Sequence, residues 1–292
     1  MFEGSVWILS ATPQPQPPFE RANNKVPSGL AQCRVQTEFE FLNYLRSTRF
    51  YILLVIVVTI GIAIMAVMYV YKPSTYLSSP IAFYSVWWGT IVKLCVILTG
   101  IFFGADSIST EFQNKTGYYL IPNPVRRSSI YMGKWIASFI ASAIVIGVYA
   151  AITIADGAIY FGSNVPYQLG ESLIFALFYI FPILGVSFFL SSMFKNNSYS
   201  ILVSAILLLF GFTYITPLIA TLSNSEPWYI LNYGSGIISN VLTSSGYPPH
   251  EVVTAGSTSY NATIPEGLVI MFAYLVVTTF LGLVLFENKD FN

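Results

Sequence analysis

A chain of 292 residues that is 55% hydrophobic and only 9% charged, with a mean hydropathy of +0.66, does not describe a water-soluble globule. Its 13 Lys and Arg are balanced by 13 Asp and Glu, which leaves no net field to attract nucleic acid. The information lies in where the charges sit, and they sit between long apolar runs.

Residues 1–36 carry Pro13, Pro15, Pro17 and Pro18 interleaved with Gln, a polyproline-like composition that reads as a cytoplasmic tail. Val6, Trp7, Ile8 and Leu9 make too short an apolar run, with no basic residues before it, for a signal peptide. Thr37 and Glu40 fit the Thr-x-x-Glu capping box and predict a helix over 38–49. Phe41, Leu42 and Leu45 give that helix an apolar face while Arg46 and Arg49 reach for headgroups, which suits an amphipathic helix lying in the membrane interface. The same residues also fit the solvated start of a first span.

Six runs, at about 50–71, 84–105, 135–155, 173–193, 199–222 and 268–286, meet the roughly 20 residues needed to cross a bilayer. Their apolar residues run continuously and do not alternate with polar ones, so helices and not a barrel are predicted. The fold class is an all-α integral membrane protein. Arg46, Arg49, Lys115, Arg126, Arg127, Lys134, Lys195 and Lys289 fall on one side and Lys72 on the other. Retention of basic residues inside places both termini in the cytoplasm of a multi-pass cell-membrane protein, with 223–266 facing outward.

The segment 106–134 interrupts the apolar runs. Asp106, Glu111 and Lys115 keep a helical spacing, and Glu111 and Lys115 form an i, i+4 pair in the favourable order, so the second helix is expected to continue past the bilayer. Gly117 permits a break, Pro122 and Pro124 forbid a continuous helix, and Arg126 and Arg127 return the chain to the membrane surface. Gly133 and Lys134 lead into the third span.

From Tyr118 to Lys134 the chain reads YYLIPNPVRRSSIYMGK. With Asp106, Glu111, Thr116 and Gly117 before it, this stretch resembles the cytoplasmic loop of ABC-2 type transporter permeases. There an acidic residue is followed by Gly-Thr, a Leu-Leu pair, Pro-Val-x-Arg and Gly-Lys; here Lys115-Thr116-Gly117 stands where Gly-Thr is usual. The resemblance runs from about Thr37 to the end of the chain. It implies the permease subunit of an ABC transporter, an exporter, dimeric with a second permease copy or a paralogue. A separate ATP-binding cassette subunit would drive it, with ATP and magnesium held on that partner and no cofactor on this chain. Asp106, Glu111, Lys115, Gly117, Pro124, Arg126 and Arg127 are the residues expected to couple to that partner, as a lever passing motion into the bilayer. The competing reading of the loop is a positive-inside anchor.

The chain has no phosphate loop of its own: its only Gly-Lys pair, Gly133-Lys134, is followed by Trp135, and Ser128 stands where the earlier Gly is required. Cys33 and Cys95 are not expected to pair. His250 has no Cys or His nearby and Glu251 alone complements it poorly, so no metal site is expected. Lys93 is a charge within the second span, with Asp156 as its expected partner; a polar point on a substrate route and a structural ion pair both fit it. Pro182 and Pro217 predict helix kinks, architectural or gating. Trp228, Tyr229 and Tyr233, with Ile237, Ile238, Val241 and Leu242, predict one short helix at the outer interface, and Asn261-Ala262-Thr263 is a glycosylation acceptor there.

Three other classes compete with this reading. An intramembrane enzyme lacks a Gly-x-Ser-x-Gly elbow and a second aspartate opposite Asp156, so no catalytic residue is assigned. A water channel needs paired Asn-Pro-Ala elements, whereas Asn123-Pro124-Val125 is single. An ATP-independent secondary carrier shares the six spans, and dependence on ATP separates the two.

Overall fold

The computed structural model describes residues 28–71, 78–114, 126–223, 225–243, 246–254 and 257–289. Among these, six helical stretches are long and apolar enough to cross a membrane: Thr48–Tyr71, Pro80–Gln113, Arg127–Phe161, Tyr167–Met193, Asn197–Ala220 and Ile264–Asn288. A further helix, α1 (Gly29–Arg46), precedes them. The first span is α2 (Thr48–Tyr71). The second is assembled from α3 (Pro80–Tyr84), a π-helical segment (Ser85–Gly89), α4 (Thr90–Phe103) and, after a turn at 104–108, α5 (Ser109–Gln113). The third and fourth are α6 (Arg127–Phe161) and α7 (Tyr167–Met193). The fifth joins α8 (Asn197–Ala205), a π-helical segment (Ile206–Gly211) and α9 (Phe212–Ser223).

The segment before the last span holds two short helices, α10 (Leu231–Gly234) and α11 (Ile237–Asn240), and an antiparallel hairpin of β1 (Glu251–Thr254) and β2 (Ser257–Tyr260) in which Glu251 pairs with Tyr260. The chain closes with α12 (Ile264–Asn288). A single outer helix was expected; the sequence instead makes two, because Gly236 separates them, and β-branched Val252, Val253 and Thr254 favour a strand.

Several boundaries move. The first helix starts at Gly29, where Ser28 Oγ accepts from Ala31 N, and not at Thr37. Thr37 is mid-helix, with its hydroxyl bonded back to the Cys33 carbonyl at 2.9 Å, and Glu40 turns to other partners. The Pro-rich tail therefore ends before 29. Helix α6 begins at Arg127 and not at 135; its 35 residues span about 52 Å, well beyond a hydrocarbon core of about 30 Å. The second helix does not run unbroken into Glu111, because the turn at 104–108 interrupts it.

The core lies between α4, α6 and α7. Trp88 stacks on Tyr149 with ring centroids 5.7 Å apart, and its indole N–H donates to Ser172 Oγ at 2.9 Å. Side chains from neighbouring elements bind carbonyls of the π-helical segment: Tyr149 OH donates to Trp87 O at 2.8 Å and Ser239 Oγ to Gly89 O at 2.7 Å.

Helices α7 and α12 approach closely at glycines. A Cβ on Gly185 would lie 2.4 Å from Thr278 Oγ1, and one on Gly282 would lie 3.2 Å from the Phe189 Cα. Gly147, by contrast, has nothing within 4 Å of such a Cβ. Gly185→Val is therefore expected to lower stability by about 1–3 kcal/mol through overpacking, while Gly147→Ala raises it by up to about 1 kcal/mol through helix propensity. Thermal unfolding of the purified variants in one detergent checks the opposite signs.

Candidate functional site

The charges of the 106–134 segment that the structure describes converge at one end of the helices, around the buried side chain of Lys134. Its ammonium lies 2.6 Å from Glu40 Oε1 on α1 and 2.9 Å from Glu111 Oε1 on α5. Lys134 and Glu40 side chains are each 8% exposed, and Glu111 is 16% exposed, so this is an interior ion cluster and not a surface pair. Gln36 adds a donor to Glu40 Oε1 at 3.1 Å.

Gly133, the residue before Lys134, explains how α1 comes so near. A Cβ there would lie 2.7 Å from the Gln36 side chain and 3.1 Å from the Cys33 carbonyl. Glycine admits α1 against α6, and lysine then holds it. Along the same contact, Ser129 Oγ donates to Gly29 O at 3.1 Å and Arg126 N to Gln32 Oε1 at 3.1 Å. Polar and small residues of α1 thus face α6, while Leu30, Val35, Phe39 and Leu42 point outward and are exposed.

The turn at 104–108 sits beside this cluster and would expose unpaired backbone groups at each broken end. Hydroxyls from four helices satisfy them. The Phe103 carbonyl accepts from Tyr44 OH of α1 at 3.0 Å and Ser138 Oγ of α6 at 3.1 Å, and Ser107 bonds it too. Ser191 Oγ of α7 accepts from Ile108 N at 3.0 Å and Ser109 N at 2.9 Å, and Ser200 of α8 bonds the Ala105 carbonyl. Burial pushes the Tyr44 phenol up, so it is a neutral donor. Asp106, within the turn, is ion-paired with Arg49 at the start of α2.

These groups line a cavity of about 340 Å³ whose wall includes Glu40, Tyr44, Arg49, Asp106, Thr110 and Lys134. Two basic residues at the same end cap helices across the bundle. Arg127 Nη1 donates to the Glu287 and Lys289 carbonyls closing α12, at 2.9 and 3.3 Å, and Lys289 Nζ donates to the Ser192 and Met193 carbonyls closing α7, at 2.8 and 3.0 Å.

Of the residues expected to act together, Asp106, Glu111, Arg126 and Arg127 all lie at this end, while Lys115, Gly117 and Pro124 fall outside the described residues. Sequence reasoning missed Glu40, Tyr44 and Arg49 as members of the site, and read Lys134 only as leading into the third span. Glu111 meets Lys134. The expected Lys93–Asp156 pair does not form: among the described residues neither is in an ion pair, and buried Asp156 instead leaves Oδ1 without a hydrogen-bond partner in a small pocket with Trp87, Tyr149 and Thr153. Asn261 lies at the base of the hairpin, its amide donating to the Pro249 carbonyl at 3.0 Å.

A family model described as an ABC-2 family transporter protein matches residues 37–291. No curated protein matches the chain.

Removing one partner of a buried ion cluster strands the others. Lys134→Met is expected to cost about 3–5 kcal/mol, because it leaves Glu40 and Glu111 buried without their cation, whereas Arg126→Ala, at an exposed position, stays within about 0.5 kcal/mol. Scanning fluorimetry of the two variants, side by side in detergent, reads the difference; equal melting temperatures would remove the cluster from the fold's essential contacts.

Proposed function

The chain belongs to the ABC-2 family of transporter proteins, and from that premise we propose that this multi-pass membrane permease is the transmembrane subunit of an ABC exporter whose ATP is hydrolysed on a separate ATP-binding subunit. The partner docks at the end of the bundle that carries Lys134, which is the cytoplasmic end, and both termini lie on that side. The observation that carries the proposal is the ion cluster itself. It joins α1, α5 and the start of α6 through one ammonium, so a force on the 106–134 segment is delivered to the preceding helix and to two spans together. A topology anchor alone needs basic residues at the surface, not a lysine buried between two carboxylates.

The wrapping of the spans supports a dimer. Only 22% of the first span's most apolar window, 11% of the fifth's and 17% of the sixth's is buried by the chain itself. Lipids and a second permease, copy or paralogue, share what remains. The basic-end distribution of Arg49, Arg126, Arg127, Lys134, Lys195 and Lys289 supports the orientation.

Two experiments test this. In the purified complex with its ATP-binding partner, Glu111→Gln is expected to retain assembly, since Lys134 keeps Glu40, yet to lower the permease-dependent stimulation of ATP hydrolysis by at least about tenfold, or about 1.4 kcal/mol. A chain that purifies without any ATP-binding partner, or unchanged stimulation in the variant, counts against the reading. For orientation, in a Cys33→Ser background, Ser163→Cys in the turn after α6 should react with a membrane-impermeant maleimide on intact cells. Ser198→Cys, at the start of α8, should react only after permeabilisation.

A further inference from the structure

The segment between α9 and α12 brings together a second group of ionisable side chains, at residues remote in sequence. Glu226 precedes α10, His250 precedes β1 and Glu266 lies in the first turn of α12, yet a ligand atom of each falls within 4.8 Å of the others.

The surroundings of His250 fix its tautomer. Nδ1 lies 3.0 Å from the Asn261 carbonyl oxygen, which can only accept, so Nδ1 carries the hydrogen and donates. In the neutral ring Nε2 then holds a lone pair, and it faces Glu226 Oε2 at 3.4 Å. Two electron-rich atoms in that arrangement call for a cation between them, either a proton on Nε2 or a metal ion. The separation favours the metal. A charge-assisted N–H···O bond closes to about 2.7–2.9 Å, whereas two ligands on a tetrahedral Zn²⁺ with bonds of about 2.0–2.1 Å stand about 3.3 Å apart.

Each ligand is also oriented from behind, as metal ligands are. Tyr233 OH donates to Glu226 Oε1 at 2.6 Å, which leaves Oε2 turned to the imidazole. Burial, with the Glu226 bond adding to it, raises the Tyr233 phenol and keeps it a neutral donor. Glu266 is held beside the ring by the capping box of α12, in which its Oε2 accepts from Thr263 N at 2.9 Å, and this oxygen is 3.7 Å from His250 Nδ1. His250 itself sits one pair beyond the hairpin ladder, its carbonyl accepting from Asn261 N at 2.8 Å. The three side chains are between 27% and 43% exposed, open enough for an ion to enter from water.

We propose that Glu226, His250 and Glu266 form a binding site for a divalent cation of the Zn²⁺ class, completed by water, that fastens the hairpin to the entrance of the sixth span. One imidazole and two carboxylates suit Zn²⁺ better than Mg²⁺ or Ca²⁺, which favour all-oxygen sets. Because the ligands must be deprotonated, acidification releases the ion.

The test is calorimetric titration of the full chain, stripped with a chelator and held in detergent, with Zn²⁺ alone, followed by Co²⁺ for its tetrahedral absorption bands. One ion per chain is expected, with affinity lowered at least about 100-fold in His250→Gln and in Glu226→Gln, and by about 10–100-fold in Tyr233→Phe. Glu251→Gln, an exposed neighbouring carboxylate, should leave it unchanged. Variants are compared after matching their melting temperatures in chelator to wild type, and Tyr233→Phe, which keeps all three ligands, serves if a ligand variant fails that match. Zn²⁺ binding that is absent in the wild type, or that survives in His250→Gln or is unaltered in Tyr233→Phe, overturns the proposal and leaves a protonated imidazole between two carboxylates.

Discussion

A lysine buried between helices as deeply as Lys134 is costly unless its charge is matched, and the arrangement around it follows from the two carboxylates that match it. Two carboxylates from two other elements must reach the ammonium, so α1 has to lie against α6, and the end of the second span has to turn back toward it. Gly133 removes the side chain that would hold α1 away. The placement of α1 is the consequence: Gln36, Glu40 and Tyr44 are turned inward to partners, while Leu30, Val35, Phe39 and Leu42 stay exposed.

The same economy of partners governs the irregular backbone. A broken helix within a membrane protein is tolerated only where other groups replace the missing ladder bonds. At 104–108 the replacements are hydroxyls of Tyr44, Ser138, Ser191 and Ser200, and at 85–89 hydroxyls of Tyr149 and Ser239 bond carbonyls of the π-helical segment. Hydroxyls bond a carbonyl without bringing a charge that must itself be neutralised. At the turn at 104–108 both kinds of partner meet: hydroxyls bond the backbone, and the Asp106–Arg49 ion pair borders a cavity with room for water.

Much of this fold is legible in the chain because span length and continuous hydropathy are one-dimensional signals, and the six spans fall where those signals place them. The capping pattern shows where one-dimensional reading fails. Thr37-x-x-Glu40 and Thr263-x-x-Glu266 are the same pattern, but only the second starts a helix, with Pro265 fixing the first turn. At the first, the helix has already begun at Gly29, and Glu40 is drawn to a lysine far along the chain. Lys93 and Asp156 illustrate a different gap: hydropathy puts Lys93 within one span and Asp156 at the end of another, but it does not set the direction a side chain takes around its helix. The Gly-Lys pair at 133–134 was visible as a motif, while its partners lay in other segments and could be found only by packing. Likewise Glu226, His250 and Glu266 have no local spacing that would mark them as neighbours.

The order in which these contacts become available matters for how the protein is made. Glu40 and Glu111 leave the ribosome before Lys134 exists, so the nascent chain must keep both carboxylates in water until the third span arrives with its charge. The first three spans and the helix before them can then settle as a unit while synthesis continues. The bonds from Arg127 and Lys289 to the ends of α12 and α7 come later than that, since they need α12 and Lys289, which follow the first three spans in the chain. Biogenesis therefore has two latches, an earlier one that waits for Lys134 and a later one that waits for Lys289.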